Sequence, residues 1–261
     1  MKIFLLILLT LKRIQKKKNN IQSEINLKNS KFIFKKIEFK EGKNFISVKG
    51  LVLNKKGQID KIKSINLLTF NQGVENNNLK INFGKKILVS GKKYDSTHLL
   101  ELLSEDSKLT LLKNFNNEVE IQLKNLITKS KIPLNNFNLI GIMQKGKFDK
   151  ISAKSEFSKN KYLDISLKKK PNKKKILEVY SDVPQALLGN YKFFEGVKEG
   201  KLLYSSTIEE KNSISKLTIE NFRVIKAPVF ATLLTLADLG GIADLLSGQG
   251  MSFDFLEINL K

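Results

Sequence analysis

The sequence predicts a mainly β protein with a few short helices, its apolar sheet face either sealed in an ordinary sandwich or left open along a long, curved antiparallel sheet, a β-groove. Three observations predict it. From about residue 30, apolar and polar side chains alternate with period two, as in Val119, Ile121 and Leu123 set against Glu120, Gln122 and Lys124. Clusters such as Glu41-Gly42-Lys43-Asn44, Asn54-Lys55-Lys56-Gly57 and Lys170-Pro171-Asn172 punctuate these runs as turns. Helical spacing is confined to three stretches.

Composition sets the outer limits. A chain of 261 residues is one large domain or two small ones. With 41% hydrophobic and 28% charged residues it is too apolar to be disordered and long enough to bury a sizeable core. The absence of cysteine excludes a disulfide scaffold, a thiolate zinc site and a cysteine nucleophile. His98 is the only histidine, which excludes a site built on two imidazoles. The formal net charge of +22 points toward nucleic acid or an anionic membrane surface. Of the 47 basic residues, however, only Arg13 and Arg223 are arginines, whereas base-reading and phosphate-clamping sites favour the planar arginine fork. Lysine in the company of abundant asparagine and isoleucine is the pattern of an AT-rich genome. It still makes contact with anionic lipid favourable, at about 1 kcal/mol per lysine near the surface.

Residues 1–29 form the first region. An apolar run from Ile3 to Leu11 precedes Lys12-Arg13-Ile14-Gln15-Lys16-Lys17-Lys18. The run is about half the length of a membrane-spanning helix. Its charge follows the apolar stretch and no Ala-x-Ala-like site appears, unlike a signal peptide. It reads as a short buried strand or helix, with a weak membrane anchor as the alternative.

Residues 30–175 form a β-rich groove region. Phe32 and Phe34 share one face, with Lys31 and Lys35 on the other. Ile46, Val48 and Val52 continue on a second strand, with Gly50 on the same face. Leu163, Ile165 and Leu167 alternate with Asp164, Ser166 and Lys168. In the last region, residues 176–261, Leu217 and Ile219 alternate with Thr218 and Glu220. The result is a mostly antiparallel sheet with one wet and one apolar face. Shifts of face from Phe34 to Ile37 and from Ile219 to Phe222 predict bulges that bend it.

The first helical stretch is Ser96–Leu103, with Asp95 or Ser96 as its N-cap. Asp182 opens the second, with Val183, Leu187, Leu188, Tyr191 and Phe194 at helical spacing. The third starts at Pro228 and carries Val229, Phe230, Leu233, Leu234 and Leu236. Gly240-Gly241 breaks it before Ile242, Leu245 and Leu246. Asp238 and Asp244 argue against a membrane span, since a charge at the bilayer centre costs roughly 2.5–3.5 kcal/mol. A buried or interfacial helical pair is expected instead.

Catalytic patterns are missing. Gly84-Lys85-Lys86 and Gly91-Lys92-Lys93 lack the rest of a phosphate-binding loop, and Gly248-Gln249-Gly250 is only a fragment of a dinucleotide motif. Asp95-Ser96-Thr97-His98 is contiguous, which does not make a nucleophile–base–orienter line. Glu101, Glu105 and Asp106 beside Lys108 and Lys113 read as a solvated face, and Glu209-Glu210 as a hairpin turn. The chain is expected not to be an enzyme and to use neither metal nor cofactor. Base stacking is disfavoured too, because alternation puts Phe32 and Phe34 opposite the lysines.

The last ninety residues resemble a known family. Ser181-Asp182-Val183-Pro184-Gln185-Ala186-Leu187-Leu188 leads to Phe194-Glu195-Gly196-Val197-Lys198-Glu199-Gly200-Lys201-Leu202. Leu217-Thr218-Ile219-Glu220-Asn221-Phe222-Arg223-Val224 is followed by Ala227-Pro228-Val229-Phe230, and Leu239-Gly240-Gly241-Ile242-Ala243-Asp244 runs on to Gly248-Gln249-Gly250-Met251-Ser252-Phe253. This order is similar to the AsmA-like C-terminal region of the large YhdP-type bacterial envelope proteins. Val89-Ser90-Gly91-Lys92-Lys93-Tyr94-Asp95 before a leucine-rich helix is a weaker landmark of the same kind. Family members are usually longer, with an N-terminal membrane helix and further strands, so the chain is expected to be a fragment or a split gene product. Glu199 stands where the family usually has a second glycine.

The resemblance implies an inner-membrane-tethered, mostly periplasmic protein whose relatives form β-sheet grooves implicated in moving phospholipid to the outer membrane. Its implied partners are phospholipid, membrane and other envelope proteins, with no nucleic acid. The acyl-lining candidates are then Phe32, Phe34, Ile46, Val48, Val119, Ile121, Leu123, Leu163, Ile165, Leu167, Leu217 and Ile219. Val229, Phe230, Leu233, Leu234, Leu245 and Leu246 are candidates for a helical plug or membrane contact. The competing expectation is a basic nucleic-acid- or partner-binding β-domain, and a third is a purely structural envelope module.

Overall fold

The computed structural model describes residues 20–28, 30–97, 115–172, 174–189, 191, 194–209, 212–225 and 250–261. The readings placed on residues 1–19, on His98–Leu103 with Glu101, Glu105 and Asp106, and on Pro228–Gln249 with all six plug candidates, lie outside them.

Of the described residues 76% lie in strands and 3% in helix, and the strands form one open, mostly antiparallel sheet that does not close into a barrel. The strands are β1 (Asn20–Lys28), β2 (Lys31–Glu41), β3 (Asn44–Leu53), β4 (Ile59–Lys61), β5 (Ser64–Asn71), β6 (Val74–Phe83), β7 (Lys86–Asp95), β8 (Asn117–Ile127), β9 (Pro133–Gln144), β10 (Lys147–Ser158), β11 (Lys161–Lys169), β12 (Lys175–Ser181), β13 (Val197–Glu209), β14 (Asn212–Val224) and β15 (Met251–Leu260). They lie side by side in chain order, except that β4 pairs only with β3. Neighbouring strands of a meander can be joined by short turns, and the expected turns at Glu41–Asn44, Asn54–Gly57 and Lys170–Asn172 all fall where one strand passes to the next. At Asn54 the side chain builds the turn, its Oδ1 accepting hydrogen bonds from the Lys56 and Gln58 amides at 2.9 and 3.0 Å.

The chain divides into two compact units, Met1–Leu126 with Asn136–Asp149, and Ile127–Asn135 with Lys150–Lys261. Within the first, strand pairing lines up two apolar rows on one side of the sheet. One runs Ile37–Val48–Ile65–Ile81–Val89 and the other Phe39–Ile46–Leu67–Leu79–Gly91. Ile65, Ile81 and Leu67 are 0–2% exposed, so these rows are a core. Gly91 is required at its place: a Cβ there would lie 2.4 Å from the Asn78 carbonyl oxygen. The second unit gathers Val197, Ile219, Phe222 and Val224 into a buried cluster, with Leu188, Phe194, Phe253 and Leu256 packed around it. The Phe222 and Phe253 rings stack at 5.2 Å between centroids.

The expected shifts of face occur, and each coincides with left-handed backbone or a break in pairing. Asn221 has φ +50° and faces Gly200 at φ +82°, so the buried positions pass from Ile219 to Phe222 and Val224. Gly50 at φ +62° does the same on β3. Here the structure corrects the sequence reading: the buried place after Val48 goes to Leu51, 4% exposed, and not to Val52. Period two holds only while φ stays negative, and one left-handed residue inverts it. A true bulge accompanies the β2 shift, between Glu24 and Ile25 of β1.

The second helix is also shorter than its apolar spacing suggests. Helix α1 covers only Pro184–Leu188, with Pro184 at its start and Gly189 at its end. Asp182 does not open it. Its carboxylate accepts hydrogen bonds from the Tyr162 amide at 2.9 Å and the Tyr180 hydroxyl at 2.5 Å. Phe194, beyond the end of the helix, still reaches the core.

Candidate functional site: the apolar rows of the sheet

In the second unit the register builds three parallel rows across six strands. The first is Ser155–Leu163–Ser181–Leu202–Ile219–Leu256, the second Ala153–Ile165–Val179–Tyr204–Leu217–Ile258, and the third Ile151–Leu167–Leu177–Ser206–Ser215–Leu260. Burial differs between them. The first row is buried from Ser155 to Ile219 and joins the core cluster through Ile219 and Leu256. In the second, Ala153 and Leu217 are buried, while Ile165, Val179, Tyr204 and Ile258 are half-buried. In the third, Leu167, Ser206 and Ser215 are buried, Ile151 and Leu177 half-buried and Leu260 exposed.

The second and third rows carry a hydroxyl ladder among their aliphatic side chains. Tyr204 donates to Ser215 Oγ at 3.1 Å, and Ser215 donates to Ser206 Oγ at 2.9 Å. The first unit has a counterpart beside its own rows. There Thr69 donates to Asn76 Oδ1 at 2.8 Å, and Asn77 donates to Thr69 Oγ1 at 2.9 Å and accepts from the Asp95 amide at 3.0 Å. Near it the buried Tyr94 hydroxyl has no hydrogen-bond partner among the described residues. Burial, and then the charge of Asp95, push its phenol up.

The twelve lining candidates fall into three groups. Ile46, Val48, Val119, Leu123, Leu163, Leu167, Leu217 and Ile219 are buried by the chain itself. Phe34, Ile121 and Ile165 are half-buried. Phe32 is 44% exposed and pairs with Leu27, itself 70% exposed, near the end of the edge strand β1. The register joins Ile165 and Leu217 in one row, Leu163 and Ile219 in another, and places Ile46 and Val48 in neighbouring rows of the first unit. Sequence reasoning did not single out Val179, Leu177 and Tyr204, which complete the half-open rows. The alternation of Ile176, Leu177, Val179 and Tyr180 around a single Glu178 is too apolar on both faces to reveal a phase.

The chain matches no protein-family profile, no curated protein and no solved structure. Among the described residues no helix is long and apolar enough to cross a membrane, and no three histidine or carboxylate side chains converge on a metal-binding arrangement.

One titration reports on the wall of this unit. The hydrogen bond from Tyr180 to Asp182, with some burial and the charges of Asp182 and Glu220, raises the phenol from 10.0 to about 12. A folded value above the unfolded one means that this contact stabilises fully below pH 10 and is lost as pH rises toward 12. Ultraviolet titration of tyrosinate should show two late-ionising residues, Tyr94 and Tyr180, of which one disappears in Tyr180→Phe. If Tyr180→Phe leaves every step in place, the contact is not made in solution.

Proposed function

We propose that the chain is a non-enzymatic lipid-conduit segment of an inner-membrane-tethered, periplasmic envelope protein, sheltering phospholipid acyl chains on the apolar side of its sheet. The observation that carries this reading is the half-buried second row, Ile165–Val179–Tyr204, in a sheet that is open rather than closed. Each methylene buried there gains about 0.8 kcal/mol, so hydrocarbon needs no polar recognition to bind. The nearby hydroxyls of Tyr204, Ser206 and Ser215 would interrupt the apolar surface and favour passage over capture. The likeness of residues 176–255 to the AsmA-like region supplies the compartment and the direction of the reading.

Eight lining candidates are already covered, so the acyl contact is proposed at the half-buried ones, Ile121 and Ile165 above all. The test is native mass spectrometry of the full chain after purification without detergent. Co-purifying phospholipid is expected, and Ile165→Asp should remove most of it while far-UV circular dichroism stays unchanged. A bare chain mass for the wild type, or lipid retained by a folded Ile165→Asp variant, contradicts the proposal.

A further inference from the structure

The side of β2, β3, β5, β6 and β7 away from the apolar rows has its own chemistry. Its three cross-strand rows are Lys36–Lys49–Ser64–Asn82–Leu88, Glu38–Ser47–Asn66–Lys80–Ser90 and Lys40–Phe45–Leu68–Asn78–Lys93. They hold five lysines against one carboxylate. The hydrogen bond from Lys36 at 2.9 Å and the charges of Lys36, Lys40 and Lys49 hold that carboxylate, Glu38, below its ordinary range. Lys40, Lys49 and Lys80 are exposed and make no ion pair among the described residues.

The second unit carries nearly as many lysines on its corresponding side but sets more carboxylates against them. The matching side of the second unit has the rows Lys154–Asp164–Tyr180–Leu203–Thr218–Glu257, Ser152–Ser166–Glu178–Ser205–Lys216–Asn259 and Lys150–Lys168–Ile176–Thr207–Ile214. There four lysines meet three carboxylates, with Lys154 bridged to Asp164 at 3.4 Å and Lys216 to Glu257 at 2.9 Å. Lys150 and Lys168 are likewise exposed and make no ion pair among the described residues, but lysine exceeds carboxylate by one in these rows and by four in those of the first unit.

Apolar groups sit among those lysines. Leu88 is 41% exposed, and Lys40 Nζ lies 5.7 Å from the centre of the Phe45 ring. Phe45, Asn66, Leu68, Asn78, Lys80 and Ser90 line a depression of about 270 Å³. Next to Asn66 in its row, Ser47 is 2% exposed and its hydroxyl has no hydrogen-bond partner among the described residues. Lysine interleaved with half-buried apolar side chains suits the headgroup layer of a bilayer, where the ammonium meets phosphate and the hydrocarbon stem and its neighbours meet glycerol and acyl carbons. A nucleic-acid backbone offers no such apolar layer, and no arginine stands in these rows to read it.

We propose that this side of the first unit docks on an anionic phospholipid bilayer, with Lys40, Lys49 and Lys80 meeting lipid phosphates and the depression beside Phe45 seating a headgroup. This docking surface lies opposite the apolar rows and stands whether or not those rows carry acyl chains.

The test is co-sedimentation of the full chain with phosphatidylcholine vesicles, alone or with about 30% phosphatidylglycerol, at about 0.1 M salt. Binding is expected only to the anionic vesicles. Lys40→Gln/Lys49→Gln/Lys80→Gln should weaken it at least about tenfold, while the charge-matched Lys150→Gln/Lys154→Gln/Lys168→Gln should change it less than about threefold. Equal losses in the two triple variants overturn the proposal, since net charge alone then explains binding. So does a single-stranded oligonucleotide that displaces the vesicles and loses its own affinity in the first triple variant. Acetylation mapping of the unaltered chain gives a check free of any folding defect: anionic vesicles should shield Lys40, Lys49 and Lys80 but not Lys154 and Lys168, and equal labelling of all five contradicts the docking.

Discussion

Phe222→Ala should destabilise the second unit by about 3–5 kcal/mol, the range for removing a buried aromatic ring. Phe222 is 2% exposed, stacks on Phe253 and closes the cluster of Val197, Ile219 and Val224. Backbone amides of β13, β14 and β15, which meet at this cluster, should exchange with solvent at least about a hundredfold faster, because each 1.4 kcal/mol is a factor of ten. A change below about threefold would mean that the ring is not the centre of this core.

Gly200→Val should cost about 2–5 kcal/mol, from two separate sources. A left-handed residue with a side chain costs roughly 1–2 kcal/mol, and Gly200 has φ +82°. Its Cβ would also stand 2.8 Å from both the Glu220 carbonyl oxygen and Phe222 Cβ, and crowding of that kind costs about 1–3 kcal/mol. Gly42→Ala separates the two, since Gly42 has φ +55° and an added methyl group would meet nothing within 4 Å, so only the first cost applies. Chemical denaturation should therefore show a clearly larger loss for Gly200→Val than for Gly42→Ala. Equal losses would mean that close packing of Gly200 against β14 contributes nothing.

Left-handed positions such as Gly200 and Gly50 mark the limit of what a sequence discloses of such a sheet. The strands around Ile46, Val119, Leu163 and Leu217 are legible because clean alternation on one face is rare by chance, and the shift from Ile219 to Phe222 is legible as a change of phase. The φ value that makes the shift is not written in the alternation itself, which is why Val52 reads as buried when Leu51 is. Strand β6 hides for another reason: Asn76, Asn77 and Asn78 have poor strand propensity, and only the register with β5 and β7 reveals that Leu79 and Ile81 continue the apolar rows. Likewise the helical spacing from Val183 to Phe194 reflects convergence on one core, reached by Leu188 from helix α1 and by Phe194 beyond its end.

The candidate site was legible as a face but not as an opening. Alternation says that Ile165 and Ile219 share a side; only the three-dimensional packing separates a sealed Ile219 from a half-buried Ile165. The charge excess was legible as a total of +22, whereas its concentration on β2, β3, β5, β6 and β7 depends on which lysines the register places together.

A lipid conduit requires hydrocarbon to reach one side of the second unit and not the other. A photoreactive side chain placed in turn at Ile165, Val179, Asp164 and Glu178, followed by irradiation with phospholipid vesicles, reads this directly. The first two positions lie in the half-buried row and the other two on the opposite side of the same strands. Lipid adducts at 165 and 179 alone are the predicted result. Adducts at none of the four, or equally at all four, contradict it.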